Sequence, residues 1–226
     1  MVRNRRYVII LAGGKGERMG SKIPKQFLEV AGKPILRWTM ERFMEIGGLE
    51  MIVVLPALEQ EYWKEYCLKS GFSARYVLAT GGISRFHSVR NALKYVEDGA
   101  IVAIHDGVRP LVSHQFLERM FSLAQDAAAV IPVMPAVESL RELLDDGERS
   151  RPVDRSRYLT VQTPQVFHSE IIKKAYEKPF SPLFTDDASV AEADGCRISL
   201  APGERFNLKI TTPEDLQMAS AIFSMI

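Results

Sequence analysis

Cysteine is nearly absent from this chain. Its two copies, Cys67 and Cys196, lie in unrelated segments without CxxC spacing. That excludes a disulfide scaffold and a cysteine-built zinc site, and it suits a reducing compartment. Net charge is scarce too, since 29 basic side chains face 28 acidic ones, a formal +1. No global field therefore draws the protein toward nucleic acid or an anionic membrane, and any basic site has to be local. Long apolar runs are missing as well. The start, MVRNRRYVIILAGG, has a basic segment, but glycines break its apolar run after about six residues, short of a signal-peptide core. The expectation is a cytoplasmic protein with no membrane span and no nucleic-acid partner. Internal repeats and low-complexity tracts are absent from the sequence.

What remains is the composition of a globular protein, 46% hydrophobic and 25% charged over 226 residues, enough for one large domain. Short apolar runs alternate with amphipathic stretches. They predict strands at Tyr7–Leu11, Met51–Leu55, Arg75–Ala79, Ile101–Ile104, Ala129–Val133, Arg197–Leu200 and Asn207–Ile210. Helices are predicted at Pro34–Ile46, Glu59–Ser70, Arg85–Glu97, Ser113–Asp126, Ser169–Glu177, Asp186–Ala193 and Pro213–Phe223. In the first helix Leu36, Met40 and Phe43 recur at the spacing of one buried face. This alternation predicts an α/β fold, a mostly parallel twisted sheet with helices on both faces. Ligands in such sheets collect beyond the carboxyl ends of the strands.

The first of those ends carries LAGGKGERMGSKIPKQF, residues 11–27. A Walker A loop needs GxxxxGK[ST], and here the order is Gly20-Ser21-Lys22. A dinucleotide fingerprint needs GxGxxG, and Gly14-Lys15-Gly16-Glu17-Arg18-Met19 fails at its third glycine. Pro24 also interrupts any helix starting at Gly16. The loop that remains holds four cations, Lys15, Arg18, Lys22 and Lys25, against the single anion Glu17. Glycines 13, 14 and 16 let backbone N–H groups approach an anion closely. Several cations around such a nest suit a triphosphate; a solvated turn is the plainer alternative.

One segment departs from the alternation. VESLRELLDDGERSRPVDRSR, residues 137–157, holds eleven charged side chains in twenty-one, with a turn signal at Asp146-Gly147. It reads as a protruding arm or hairpin, or as a solvated loop.

The loop, followed in order by GGISRFHSV, HDGVRP, VDRSRYLTVQTPQVF, TDDASVAE and LKITTPEDL, resembles the 2-C-methyl-D-erythritol 4-phosphate cytidylyltransferase family of Rossmann-like nucleotidyltransferases. The resemblance spans Leu11 to Leu216. It implies transfer of a CMP unit from CTP to a sugar-alcohol phosphate, releasing pyrophosphate, with Mg²⁺. Such an acceptor has a second phosphate pKa of about 6, so it is largely ionised at neutral pH. The site must then align the reactants and neutralise charge at the α-phosphorus. By resemblance, Arg18 and Lys25 stabilise that transition state, and Lys209 and Arg155 position the acceptor phosphate. Ala12, Gly13, Gly14, Gly16, Gly82 and Ser88 hold the nucleotide. Asp106, Arg109, Ser139 and Thr163 surround the acceptor, and Asp106 lies near the metal.

The family's arm reaches a second subunit, which implies a homodimer whose sites are shared. This chain departs from the family pattern at three places. Ile83 and Ser84 stand where acidic residues are frequent, Gly107-Val108 replace two alanines, and Ser139 replaces threonine. From the residues alone, Asp106 is also a turn cap, Lys209 a surface lysine, and Asp186-Asp187 a helix cap or a substrate or metal contact. His105 reads as structural. A ribitol-5-phosphate cytidylyltransferase and a nucleotide-binding module without turnover remain as alternatives.

Overall fold

The computed structural model describes residues 5–14, 23–145 and 147–225. Its first strand, β1 (Arg6–Leu11), is buried along nearly its whole length, as a strand between two helical layers must be. A 3-10 turn at Lys25–Phe27 and a small ladder of β2 (Glu29–Val30) and β3 (Lys33–Pro34) lead into α1 (Ile35–Met44). Strand and helix then alternate through β4 (Leu49–Leu55), α2 (Ala57–Ser70), β5 (Val77–Thr80), α3 (Arg85–Leu93), β6 (Ile101–Asp106), α4 (His114–Asp126) and β7 (Ala129–Pro135). A hairpin of β8 (Arg141–Leu143) and β9 (Ser150–Pro152) follows. The chain returns as β10 (Leu159–Val161) and β11 (Gln165–His168), then forms α5 (Ser169–Ala175), α6 (Asp187–Ala193), β12 (Ser199–Pro202) and α7 (Pro213–Phe223).

The main sheet runs β10-β7-β11-β6-β1-β4-β5, and β12 pairs with β7. Strands β6, β1, β4 and β5 are mutually parallel, as are β7 and β12, whereas β10 and β11 run antiparallel to their neighbours. The expected mostly parallel α/β fold is therefore present. Alternation of side chains along each strand divides the core in two. Val8, Ile10, Val53 and Ala103 face α1 and α4, while Tyr7, Ile9, Ile52 and Val102 face α3, α5 and α6.

Helix starts follow local chemistry. Ser84, Ser113 and Thr212 each accept a backbone N–H three residues on, and Thr212 closes a capping box with Asp215 behind Pro213. Asp186 caps α6 the same way, its box closed by Ser189.

Three sequence expectations need correction. The strand predicted at Arg75 begins at Val77. Strands β10 and β11 carry too few alternating residues to announce themselves. Asn207–Ile210 is not a strand. It pairs with no strand among the described residues and is held instead by the Ile210 N–H donating to the Val108 carbonyl at 2.9 Å. The side chain of Ile210 is fully buried with Val30, Ile35, Val108, Leu111 and Ala219, beneath α7. Trp38 and Phe223 close that cluster with rings 4.5 Å apart. A third apolar cluster, not a sheet, thus anchors Lys209.

The charged segment 137–157 does protrude. Strands β8 and β9 are mostly exposed, and they are tied by Arg151 to Glu142 and by Arg141 to Ser150.

Ile210→Ala is expected to lower the unfolding free energy by about 2–5 kcal/mol, the usual cost of truncating a buried aliphatic side chain. Urea denaturation measures it, and a loss below about 1 kcal/mol would mean the cluster is not what holds this segment.

Candidate active site

Strand β1 lies between β4 and β6, so the chain leaves it toward opposite sides of the sheet. A crevice opens where such connections diverge, at the carboxyl ends. A cavity of about 790 Å³ occupies that place. Its floor is Leu11 to Gly14 after β1. One wall is Pro56, Leu58 and Glu59 after β4, and the next is Gly82 to Arg85 after β5, with Ser88 behind. Asp106 and Val108 come from the end of β6, Lys25 and Gln26 from the 3-10 turn, and Lys209 from the segment before α7.

The β5–α3 loop is tightly specified. The Ser88 hydroxyl accepts the Gly82 N–H at 3.0 Å and donates to the Ser84 carbonyl at 2.9 Å. A Cβ at Gly82 would stand 2.4 Å from the Cβ of His87, so any side chain there would displace the start of α3.

Charge concentrates at the β6 end. The Asp106 Oδ2 accepts from Arg109 Nε at 3.1 Å and lies 3.1 Å from Lys209 Nζ. Burial alone would raise the carboxyl's pKa. The positive field of Arg85, Lys209 and Arg109 outweighs it, holding Asp106 well below the usual carboxylate range. The Arg109 guanidinium also donates to the Asn207 carbonyl at 2.7 Å.

Beneath them, His105 Nε2 faces the Arg109 carbonyl at 3.2 Å and Nδ1 faces the Thr163 hydroxyl at 3.2 Å. A carbonyl only accepts, so Nε2 carries the proton, and Nδ1 accepts from Thr163. Thr163 in turn accepts the Asp106 N–H at 3.1 Å. Burial pushes the imidazole down to about 4, and the Asp106 charge offsets this only in part.

A second buried ion pair backs the β5–α3 wall. Arg85 holds Asp187 through two bonds of 2.7 and 2.6 Å, and Tyr176 donates its hydroxyl to the same carboxylate at 2.6 Å. Asp187 is fully buried, so its oxygens are spent on structure and do not reach the cavity. Burial, then Asp187, raises the Tyr176 pKa well above its usual value. Near the first wall, Gln26 donates to Glu59 at 2.5 Å, pinning the turn that carries Lys25 to α2.

The structure brings Ala12, Gly13, Gly14, Lys25, Gly82, Ser88, Asp106 and Lys209 to one cavity. Arg109 and Thr163 are buried directly under Asp106. Ser139 and Arg155 are exposed at the base of the arm and away from the cavity lining, with Arg155 donating to the Val137 carbonyl. Arg18 and Gly16 lie outside the described residues. Sequence reasoning missed Arg85 with Asp187, and Gln26 with Glu59. Arg85 and Asp187 stand inside quoted motifs, but nothing in their spacing marks a pair 102 residues apart.

Above pH 6.5, His105 is neutral whether the chain is folded or not. Below it the unfolded imidazole takes up a proton that the folded one resists down to about 4. Stability is therefore expected to fall between pH 7 and 4.5, by about 2–3 kcal/mol from this residue. Asp106 adds its loss only as pH drops below the ordinary carboxyl value of 3.8. Urea midpoints of the parent and His105→Gln proteins, compared across that range, isolate the contribution. Equal slopes would remove it.

A family model described as IspD, 2-C-methyl-D-erythritol 4-phosphate cytidylyltransferase, matches residues 7–225. The protein of that name from Bacteroides thetaiotaomicron is 51% identical over 216 residues, 95% of this chain and 98% of its own length. The one from Porphyromonas gingivalis strain ATCC 33277 is 46% identical over 224 residues, 99% of this chain and the whole of its own. Among solved structures, 4-diphosphocytidyl-2C-methyl-D-erythritol synthase from Anaerococcus prevotii aligns with a TM-score of 0.82 at 26% identity, covering 97% of this chain and 96% of that one. The 2-C-methyl-D-erythritol 4-phosphate cytidylyltransferase of Thermus thermophilus aligns with a TM-score of 0.77 at 30% identity, covering 96% and 98%. The glycine-lined cavity with its cationic end therefore sits in a chain that belongs to the 2-C-methyl-D-erythritol 4-phosphate cytidylyltransferase family.

Proposed function

We propose that this chain is a cytidylyltransferase that moves a CMP unit from CTP to 2-C-methyl-D-erythritol 4-phosphate. The products are 4-diphosphocytidyl-2-C-methyl-D-erythritol and pyrophosphate, in the non-mevalonate route to isoprenoid precursors. The observation that carries it is the convergence of Lys25, Lys209 and Asp106 with the glycines after β1 in one cavity of a chain of this family.

The chemistry is an in-line displacement. An oxygen of the acceptor phosphate attacks the α-phosphorus of CTP, and the bond to the bridging oxygen breaks as pyrophosphate leaves. The nucleophile arrives ionised, so no side chain needs to remove a proton. Lys25 offsets the crowded negative charge at that phosphorus, a role the family resemblance gives to Arg18 as well. Lys209 is held partly exposed by Asp106 and the buried Ile210 beside it, which aims its ammonium at the incoming phosphate. Asp106 stays ionised throughout the working pH range and holds Lys209 in place.

The donor set fits a magnesium ion held chiefly by the nucleotide. Among the described residues no cluster of three His, Cys, Asp or Glu side chains would hold a metal alone. Asp106 is a carboxylate in the cavity whose two cation contacts both fall on Oδ2. Mg²⁺ commonly takes one carboxylate beside substrate phosphates and waters. When bound it would neutralise triphosphate charge, with Asp106 its ligand directly or through water.

The acceptor end draws on a second copy of the chain. Arg155 and Ser139 sit exposed on the arm, and an arm of this charge gains nothing from the chain's own core. Crossing to a partner would bring Arg155 to that partner's acceptor phosphate, with Arg109 and Thr163 beneath. The protein then works as a homodimer with exchanged arms. Its setting is the cytoplasm; among the described residues no helix is long and apolar enough to cross a membrane.

Purified protein with CTP, Mg²⁺ and 2-C-methyl-D-erythritol 4-phosphate is expected to release pyrophosphate, and ribitol 5-phosphate to substitute poorly. Preference for the ribitol ester would reassign the acceptor, and CTP binding without release from either would reassign the protein to a binding module. Lys25→Ala is expected to lower kcat by roughly 10²–10³-fold, the scale for losing one transition-state donor, with CTP affinity less affected. An unchanged kcat would take Lys25 out of the mechanism. Heterodimers of Arg155→Ala with Lys25→Ala subunits should regain activity, because one of their two sites is intact. Inactive heterodimers of verified composition would argue for a site built within one chain.

A further inference from the structure

The cavity is charged at one end and apolar at the other, and its apolar end carries two side chains left almost uncovered by the described residues. Leu58 and Ile83 are 95% and 93% exposed, yet both line the cavity. Each stands three residues beyond the last residue of its strand. Those last residues, Leu55 and Thr80, are paired neighbours in adjacent parallel strands. The two loops touch: the Gly81 N–H donates to the Leu55 carbonyl at 2.9 Å, and a Cβ at Gly81 would lie 3.5 Å from the Pro56 nitrogen.

The loop under Ile83 is braced by Gly82 and Ser84, through Ser88 and the start of α3. Leu58 is in the first turn of α2, whose Trp63 is fully buried. Neither backbone is free to carry its side chain inward. Nearly complete exposure of two large aliphatic groups at the mouth of a site is unfavourable in water and is relieved only when something apolar covers them.

We propose that Leu58 and Ile83 form an apolar clip that packs on the face of the nucleotide's pyrimidine ring. This rests on the cytidylyltransferase reading above and adds to it a pair of affinity residues. The polarity of the cavity sets the ligand's direction. Triphosphate belongs with Lys25 and Lys209 over β1 and β6, which leaves the base over β4 and β5, between Pro56, Leu58, Gly82 and Ile83. A ring face is the part of a nucleotide that aliphatic carbon covers without stranding a polar group. Edge recognition is left to the backbone groups of the braced loops, and the clip supplies affinity blind to the base's edge.

The test uses full-length Ile83→Asp and Leu58→Asn proteins, whose changes fall on exposed side chains and should leave the melting temperature unaltered. Each is expected to raise the KM for CTP about 5- to 10-fold, the effect of losing partial burial of one aliphatic side chain. The kcat and the KM for 2-C-methyl-D-erythritol 4-phosphate should stay near the parent's. UTP, titrated as a competitive inhibitor, should weaken by the same factor as CTP, because a face contact does not see the base's edge. A KM for CTP within twofold of the parent in both variants would overturn the clip. So would a change confined to the acceptor's KM, or one that altered CTP and UTP unequally. If the parent protein released no pyrophosphate, the cytidylyltransferase reading would fall separately, and CTP titrated calorimetrically into the same three proteins would still decide the clip.

Discussion

One buried carboxylate organises this molecule. Asp106 sits at the end of a central strand with almost no access to water, and an ionised group there is tolerated only if cations surround it. Three do, and each comes from a different part of the chain. Arg109 belongs to the turn that follows β6, Lys209 to the segment before α7, and Arg85 to the start of α3. Satisfying that charge therefore draws together segments that share no secondary structure. The same requirement leaves Lys209 half-exposed at the cavity. A lysine so placed is preorganised for a phosphate without further rearrangement.

The packing beneath reinforces the electrostatics. Thr163 links Asp106 to His105, and His105 to the Arg109 carbonyl, so the imidazole works as a neutral spacer. Phe43 of α1 meets the ring edge-on at 4.9 Å. On the far side, Asn207 donates to the Thr163 carbonyl and offers its own carbonyl to Arg109. Buried polar groups linked in such a chain strengthen one another, although the side-chain oxygen of Asn207 itself has no hydrogen-bond partner among the described residues. Together with the Ile210 cluster, these bonds hold the segment around Lys209 without a sheet.

Much of this was legible in the sequence, and for definable reasons. Central strands such as VIIL and IVAI are apolar on both faces, and caps such as Thr212-Pro213 are local signals that need no partner. The glycines after β1 and the motif order pointed to the strand ends where the cavity lies. Tertiary geometry supplied what was not legible. The run Asn207–Ile210 looks like a strand because Leu208 and Ile210 alternate with polar neighbours, but the alternation serves an apolar cluster under α7. The Asp186-Asp187 pair reads as two acids at a helix start. One is the cap, and the other is spent on Arg85, 102 residues away. Pairings of that separation leave no periodicity to detect.

The two halves of the proposed site answer to different constraints. The nucleotide half is built from strand ends and helix starts whose backbone bonds are already fixed, so its shape changes only if the sheet changes. The acceptor half, as proposed, relies on Arg155 and Ser139, which are exposed on the arm. Substitution there costs the fold little, because exposed, charged strands contribute almost no burial. Selectivity among polyol phosphates should therefore be the more adjustable property of such a protein, and the use of a cytidine nucleotide the more conservative one. In the proposed dimer that division is workable, because a partner's surface would position the arm while the sheet under the cavity stays intact.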